Sequence, residues 1–201
     1  MRPTLKYENQ LFKQGYEVIA GLDEAGRGAL AGPLVAGAVI LNPNYKIKHL
    51  RDSKLLTPNK RQNLFLKISK NCLGWSVGIV SHAEIDKLGI IPANRLAFER
   101  AVKKLNITPH YLLVDGIRNF DSNIKSDFII KGDTKISSIS AASIIAKVVR
   151  DQILNSLHKI YPIYNFAQHK GYGTRKHVDA IQKYGPSEIH RFSFQPIVNN
   201  F

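Results

Sequence analysis

Cysteine is nearly missing: Cys72 stands alone among 201 residues. A lone thiol excludes an intramolecular disulfide and a multi-cysteine zinc cage, and Cys72 is expected to be a small buried hydrophobe. Long apolar runs are missing too. No stretch approaches the roughly 18 uninterrupted apolar residues of a spanning helix. The opening Met1-Arg2-Pro3-Thr4-Leu5-Lys6 leads into a polar stretch without a signal-peptide core. A cytoplasmic protein with no membrane role is expected. With 14 glycines and 9 prolines the chain is not of low complexity, and 44% hydrophobic against 22% charged residues is the balance of a folded domain. No linker or internal repeat divides it, so residues 1–201 read as one domain. Acids are the last scarcity. Fifteen Asp and Glu face 29 Lys and Arg, a formal net charge of +14. Such an excess favours polyanionic partners, because each neutralised phosphate releases condensed counterions; the bland alternative is a basic surface kept for solubility.

Turning to what is present, Val18 to Leu22 and Leu34 to Leu41 read as strands joined by a glycine-rich turn, with a third strand at Trp75 to Val80. Tyr111 to Val114 and Phe128 to Ile130 are further short buried strands. Helices are announced by their caps. Thr57 before Pro58 opens one running to about Lys70, Ser81 with Glu84 forms a capping box, and Pro92 opens a third through Leu105. Ala141, Ile145, Val149, Ile153 and Leu157 recur every four residues, which predicts a long amphipathic helix from Ser138 to about Ile160. Thr174 caps a shorter one ending near Gly185. Strands first, then alternation with helices, give an α/β fold with a mixed central sheet flanked by helices.

Three apolar runs stop at a carboxylate: Asp23-Glu24, Asp115, and Asp133 after Lys131-Gly132. Ligand sites in such sheets gather beyond the strand ends, where acids distant in sequence converge. Convergent carboxylates repel one another unless a cation neutralises them, and oxygen-only ligands suit Mg²⁺ or Mn²⁺. A compact acidic centre in a basic protein suits metal-assisted phosphodiester hydrolysis. The competing reading makes these acids loop residues that cap nearby helices.

The turn Gly26-Arg27-Gly28 lacks the Lys-Ser/Thr of a triphosphate loop, and two carboxylates just ahead of it would repel a pyrophosphate. Its glycines instead let backbone groups approach a substrate closely, where a ribose 2′-OH can both donate and accept. A second patch, His169-Lys170-Gly171-Tyr172-Gly173-Thr174-Arg175-Lys176, combines cations, glycines and an aromatic ring, as a phosphate with a stacked sugar or base requires. Phe192 and Phe194 are assigned to core packing on one face of an extended segment. The seven histidines show no metal-ligating spacing and are assigned structural or surface roles. Lys147 and Asp151, four apart on the long helix, are assigned a salt bridge. Lys54, after Asp52-Ser53, either grips a phosphate or is simply solvated.

Together these residues resemble the type 2 ribonucleases H, the ribonuclease HII family. The resemblance runs through Gly21-Leu22-Asp23-Glu24-Ala25-Gly26-Arg27-Gly28, Leu30-Ala31-Gly32-Pro33, Asp52-Ser53-Lys54-Leu55 and Val114-Asp115-Gly116. It continues through Lys131-Gly132-Asp133, Ala141 to Lys147, Arg150-Asp151, His169 to Thr174 and Ile189-His190-Arg191. It implies a ribonuclease H-like fold with a helical C-terminal part, about 174–201. It implies an endoribonuclease that hydrolyses the RNA strand of RNA–DNA hybrids and cuts 5′ of single ribonucleotides in duplex DNA, leaving 3′-hydroxyl and 5′-phosphate ends. By position, Asp23, Glu24, Asp115 and Asp133 would be the catalytic carboxylates and the ligands of Mn²⁺ or Mg²⁺. The backbone of Gly26, Arg27 and Gly28 would sense the 2′-OH, Tyr172 would pack on the junction nucleotide, and Lys54 would contact a phosphate. No obligatory protein partner is implied. The sibling ribonuclease HIII family usually carries an additional N-terminal domain, and about twenty residues before the first motif argue against it. Two rivals stay open at this point: a non-catalytic nucleic-acid-binding protein, and a nuclease of the same fold acting on all-DNA strands.

Overall fold

Strand β1 (Ile19–Ala25) is the axis of the molecule. It pairs antiparallel with β2 (Leu34–Ile40), which pairs antiparallel with β3 (Gly74–Val80). On its other side β1 runs parallel to β4 (Tyr111–Asp115), and β4 to β5 (Lys125–Ile129). The result is a mixed five-stranded sheet of order β3-β2-β1-β4-β5 in a computed structural model that describes residues 2–45, 47, 50–51, 53–116 and 122–198. The helices are α1 (Lys6–Lys13), α2 (Pro58–Asn71), α3 (His82–Leu88), α4 (Ile90–Lys103), α5 (Ser137–Ile160), α6 (Phe166–His169) and α7 (Arg175–Tyr184). Among the described residues no helix is long and apolar enough to cross a membrane.

Strand alternation sorts the core into two layers. Ala20, Leu22, Leu112 and Val114 point to the α4 side and pack with Ala97 and Phe98. The opposite face meets α5, the longest helix at 24 residues. There Gly21 and Gly37 carry no Cβ because one would fall on the backbone of Ser138 and Ala142, so glycine sets how closely α5 approaches the sheet. Gly78 plays the same part against Ala97 of α4. Helix α2 closes the α5 side through Leu64 and Ile68.

Most expected elements form within a residue or two. The Thr57 hydroxyl accepts from the Lys60 N–H, and Ser81 and Glu84 make the reciprocal capping box. Several readings need correction. Strand β1 runs on through Asp23 and Glu24 to Ala25, so these acids lie within the strand, held by continued pairing with β2. The last strand is Lys125–Ile129 and leaves Ile130 largely exposed. Helix α4 starts at Ile90, two residues before its proline. Phe194 packs in the core, but Phe192 is exposed because residues 191–198 form successive turns, not an extended segment. Helix α1 was not anticipated; it is short, and its one buried acid, Glu8, accepts from the Ser138 N–H at 2.8 Å. Cys72 is half-buried against the α2 layer.

Candidate active site

Because Leu22 pairs with Val114, the next residues on the two parallel strands, Asp23 and Asp115, lie side by side on the α5 face. Chain reversal after β5 brings in the third acid. Lys131 adopts a left-handed conformation, and Gly132–Thr134 makes a single 3₁₀ turn before α5. The Gly132 N–H donates to Asp115 Oδ1 at 2.5 Å, which fixes Asp133 beside that strand end. Glu24 follows Asp23 and donates its N–H to Asp23 Oδ1 at 2.7 Å.

Electrostatics show that the acids share one field. Asp23 is buried, and its carboxyl is held well above the ordinary carboxylate range. Burial is the main cause, followed by the negative charges of Glu24 and Asp115, with Asp133 adding to them; a hydrogen bond from Ser143 opposes the rise. Four carboxylates from three chain segments therefore act on one another. The donor set is oxygen only, the chemistry that suits a hard divalent cation. Among the described residues no three His, Cys, Asp or Glu side chains already form a ligating group. The carboxylates fit such a cation in charge and chemistry, and Glu24 also has Arg27 at 3.9 Å.

The Gly26–Pro33 loop is held from behind by two buried arginines. Arg150 donates from Nε to the Pro33 carbonyl (2.9 Å), from Nη1 to Lys170 (2.9 Å) and from Nη2 to Ala31 (3.1 Å). Arg191 donates from Nε and Nη2 to the Gly32 carbonyl and from Nη1 to the Arg27 carbonyl at 3.0 Å. Burial pulls the Arg191 guanidinium down to about 9. Gly26 sits at φ +94°, and a Cβ there would strike Arg150, whereas one on Gly28 would meet nothing within 4 Å. The protein's own packing explains glycine at 26; at 28 the space lies open to a visitor.

Tyr172 is bound to the same loop. Leu30 N–H donates to the Gly171 carbonyl at 2.7 Å, and Ala29 bridges to Tyr172. The half-buried Tyr172 ring lies under two cations, with Arg150 5.2 Å and Lys147 5.7 Å from its centroid. Beneath it the Lys147–Asp151 pair forms at 2.6 Å, and Asp151 also takes Arg61 at 3.2 Å. Arg61 in turn donates to the carbonyls of Ser53 and Leu56, shaping the turn that carries Lys54. The Lys54 side chain lies outside the described residues. Ser53 Oγ meets Ser143 Oγ at 2.9 Å, which joins that turn to the Asp23 neighbourhood.

Three histidines stand behind Tyr172. His169 stacks on His177, His177 Nε2 lies 3.1 Å from His190 Nε2, and His177 Nδ1 meets the Tyr172 carbonyl at 3.0 Å. They are structural, as expected, but their joint role and those of Arg150, Arg191 and Arg61 were not anticipated.

The family model for ribonuclease HII matches residues 20–197. The chain belongs to the ribonuclease HII family. A ribonuclease HII of Acetivibrio thermocellus is 50% identical over 188 residues, 94% of this chain and 73% of that relative. The crystal structure of the ribonuclease H2 from Pyrococcus horikoshii superposes with a TM-score of 0.75 at 28% identity, covering 90% of this chain and 95% of that one. Bst-RNase HIII, in complex with Mn²⁺, shares the fold at 16% identity with a TM-score of 0.66, over 90% of this chain and 68% of its own. Family membership makes the chain a ribonuclease H, an α/β endonuclease, and sets aside the reading as a binding module without activity.

Proposed function

We propose that the chain cuts the RNA strand of RNA–DNA hybrids and incises duplex DNA on the 5′ side of a single ribonucleotide, leaving 3′-hydroxyl and 5′-phosphate ends. The observation that carries this reading is the electrostatic meeting of Asp23 with Glu24, Asp115 and Asp133 at the ends of β1 and β4. These four carboxylates would hold Mg²⁺ or Mn²⁺; the Mn²⁺ of the ribonuclease HIII complex supports the choice of a hard divalent ion. When bound, such an ion supplies positive charge that activates water and stabilises the departing 3′-oxygen. The carboxylates serve as ligands and form no covalent intermediate.

The remaining work belongs to the polypeptide. Gly28, with open space where a Cβ would be, lets the backbone of Gly26-Arg27-Gly28 meet a ribose 2′-OH. Tyr172 packs on the nucleotide at the RNA–DNA junction, held by its bridge to Ala29 of the same loop and by His177 at its carbonyl. A phosphate contact is assigned to Lys54 by the family resemblance alone. The deciding experiment incubates a labelled duplex bearing one ribonucleotide, and an all-DNA control, with Mg²⁺, Mn²⁺ or chelator. Metal-dependent cleavage 5′ of the ribonucleotide with an intact control is expected; cleavage of the control, or none of either duplex, would overturn the reading.

A further inference from the structure

Two adjoining grooves, the first of them near the turn that touches Ser143, carry only cations as charged lining. The first, about 440 Å³, begins at Arg51 and Leu55, next to the Ser53 turn that touches Ser143, and runs along α2 past Lys60 and Lys67 to Arg2. The second, about 940 Å³, continues from Arg2 along α1 past Lys6 and Lys13. Arg2 lines both, so the grooves adjoin. All six cations are exposed, and among the described residues none is in an ion pair, although this chain elsewhere pairs Arg27, Arg61, Arg95, Arg100 and Lys147 with acids.

The spacing is regular. Lys60 and Lys67 are seven residues apart, as are Lys6 and Lys13. Seven residues are two helical turns, about 10 Å, which puts both lysines of each pair on one face. About 10 Å is also the axial advance of roughly three phosphates of one duplex strand. A solvated basic face kept for solubility needs neither a groove nor a register, and a free nucleotide is too short for a track of this length.

The geometry points to a duplex-binding track, Arg51–Lys60–Lys67–Arg2–Lys6–Lys13, that holds the phosphate backbone of nucleic acid flanking the cut. The inference rests on the proposed activity and adds to it a contact outside the carboxylate centre. The track increases affinity and salt sensitivity for long duplexes and takes no part in bond breaking.

The test compares the parent with K60A/K67A and R2A/K6A, all exposed positions where folding is not at stake. Binding is measured in chelator on an all-DNA duplex of about 30 base pairs and on one of about 10, across a salt series. Cleavage of single-ribonucleotide duplexes of the same two lengths is measured with Mg²⁺. Each double variant is expected to weaken long-duplex binding by about tenfold and to flatten its salt slope by up to roughly 2, about 0.9 for each phosphate released. KM for the long substrate rises with kcat unchanged, and the short duplex is unaffected. Unchanged slopes, or equal losses on both lengths, would overturn the track. A parent that binds long duplex but does not cut refutes the proposed activity alone, because the binding arm still reads the track.

Discussion

Asp23 and Asp115 sit side by side and unequal: one is buried under three negative neighbours, the other takes a backbone N–H from Gly132. On the proposed reading, replacing either by Asn removes a charge that would hold a divalent ion. D23N and D115N are expected to lose roughly a hundredfold or more in turnover while binding hybrid nearly as tightly, as single-turnover kinetics and titration would show. D23N should also be no less stable than the parent without metal, since it relieves buried repulsion. The two glycines of the neighbouring turn separate structure from function. Gly26→Ala forces a side chain into a left-handed position and into Arg150, and a melting temperature lower by about 5 °C is expected. Gly28→Ala meets open space, so its melting point should hold while cleavage at a single ribonucleotide falls, read as kcat/KM against a control of unchanged fold.

At the scale of elements, the contacts that decide the site are backbone on backbone. Helix α5 lies on Gly21 and Gly37, and α4 on Gly78. Gly78→Ala presses a methyl group onto the Ala97 carbonyl and should destabilise by about 2 kcal/mol or more, measured by urea unfolding. The elements themselves were legible because their signals are local: Thr57-Pro58, the Ser81–Glu84 box and the four-residue rhythm from Ala141 to Leu157 each need only neighbours. Helix α1 escaped because two turns of mixed residues carry little periodicity, and its anchor, Ser138, is 130 positions away. The acids were legible as chemistry at the ends of apolar runs. Their convergence could be expected but not located, since it depends on parallel pairing of β1 with β4. Arg150 and Arg191 were visible only as motif letters. A guanidinium that binds carbonyls instead of a carboxylate leaves no complementary residue to find in the sequence.

For the whole molecule, pH acts through the histidines behind Tyr172. Burial and the proximity of the other rings pull His177 and His190 down to about 4. The unfolded chain takes up protons near pH 6.5 and the folded one only near 4, so stability is full above about 6.5 and falls as pH drops through that window. A melting temperature lower by roughly 5 °C at pH 5 than at pH 7 is expected from calorimetry, with activity falling alongside because His177 bonds the Tyr172 carbonyl.

Consider finally the tie between Glu8 and Ser138, with Thr4 bridged to Ile136. The segment ahead of β1 is thus tied to the start of α5, and Asp23 takes its hydrogen bond from Ser143 of the same helix. A fragment that ends before α5 therefore holds neither tie, and its first helix and Asp23 are both without the partners they have in the whole chain.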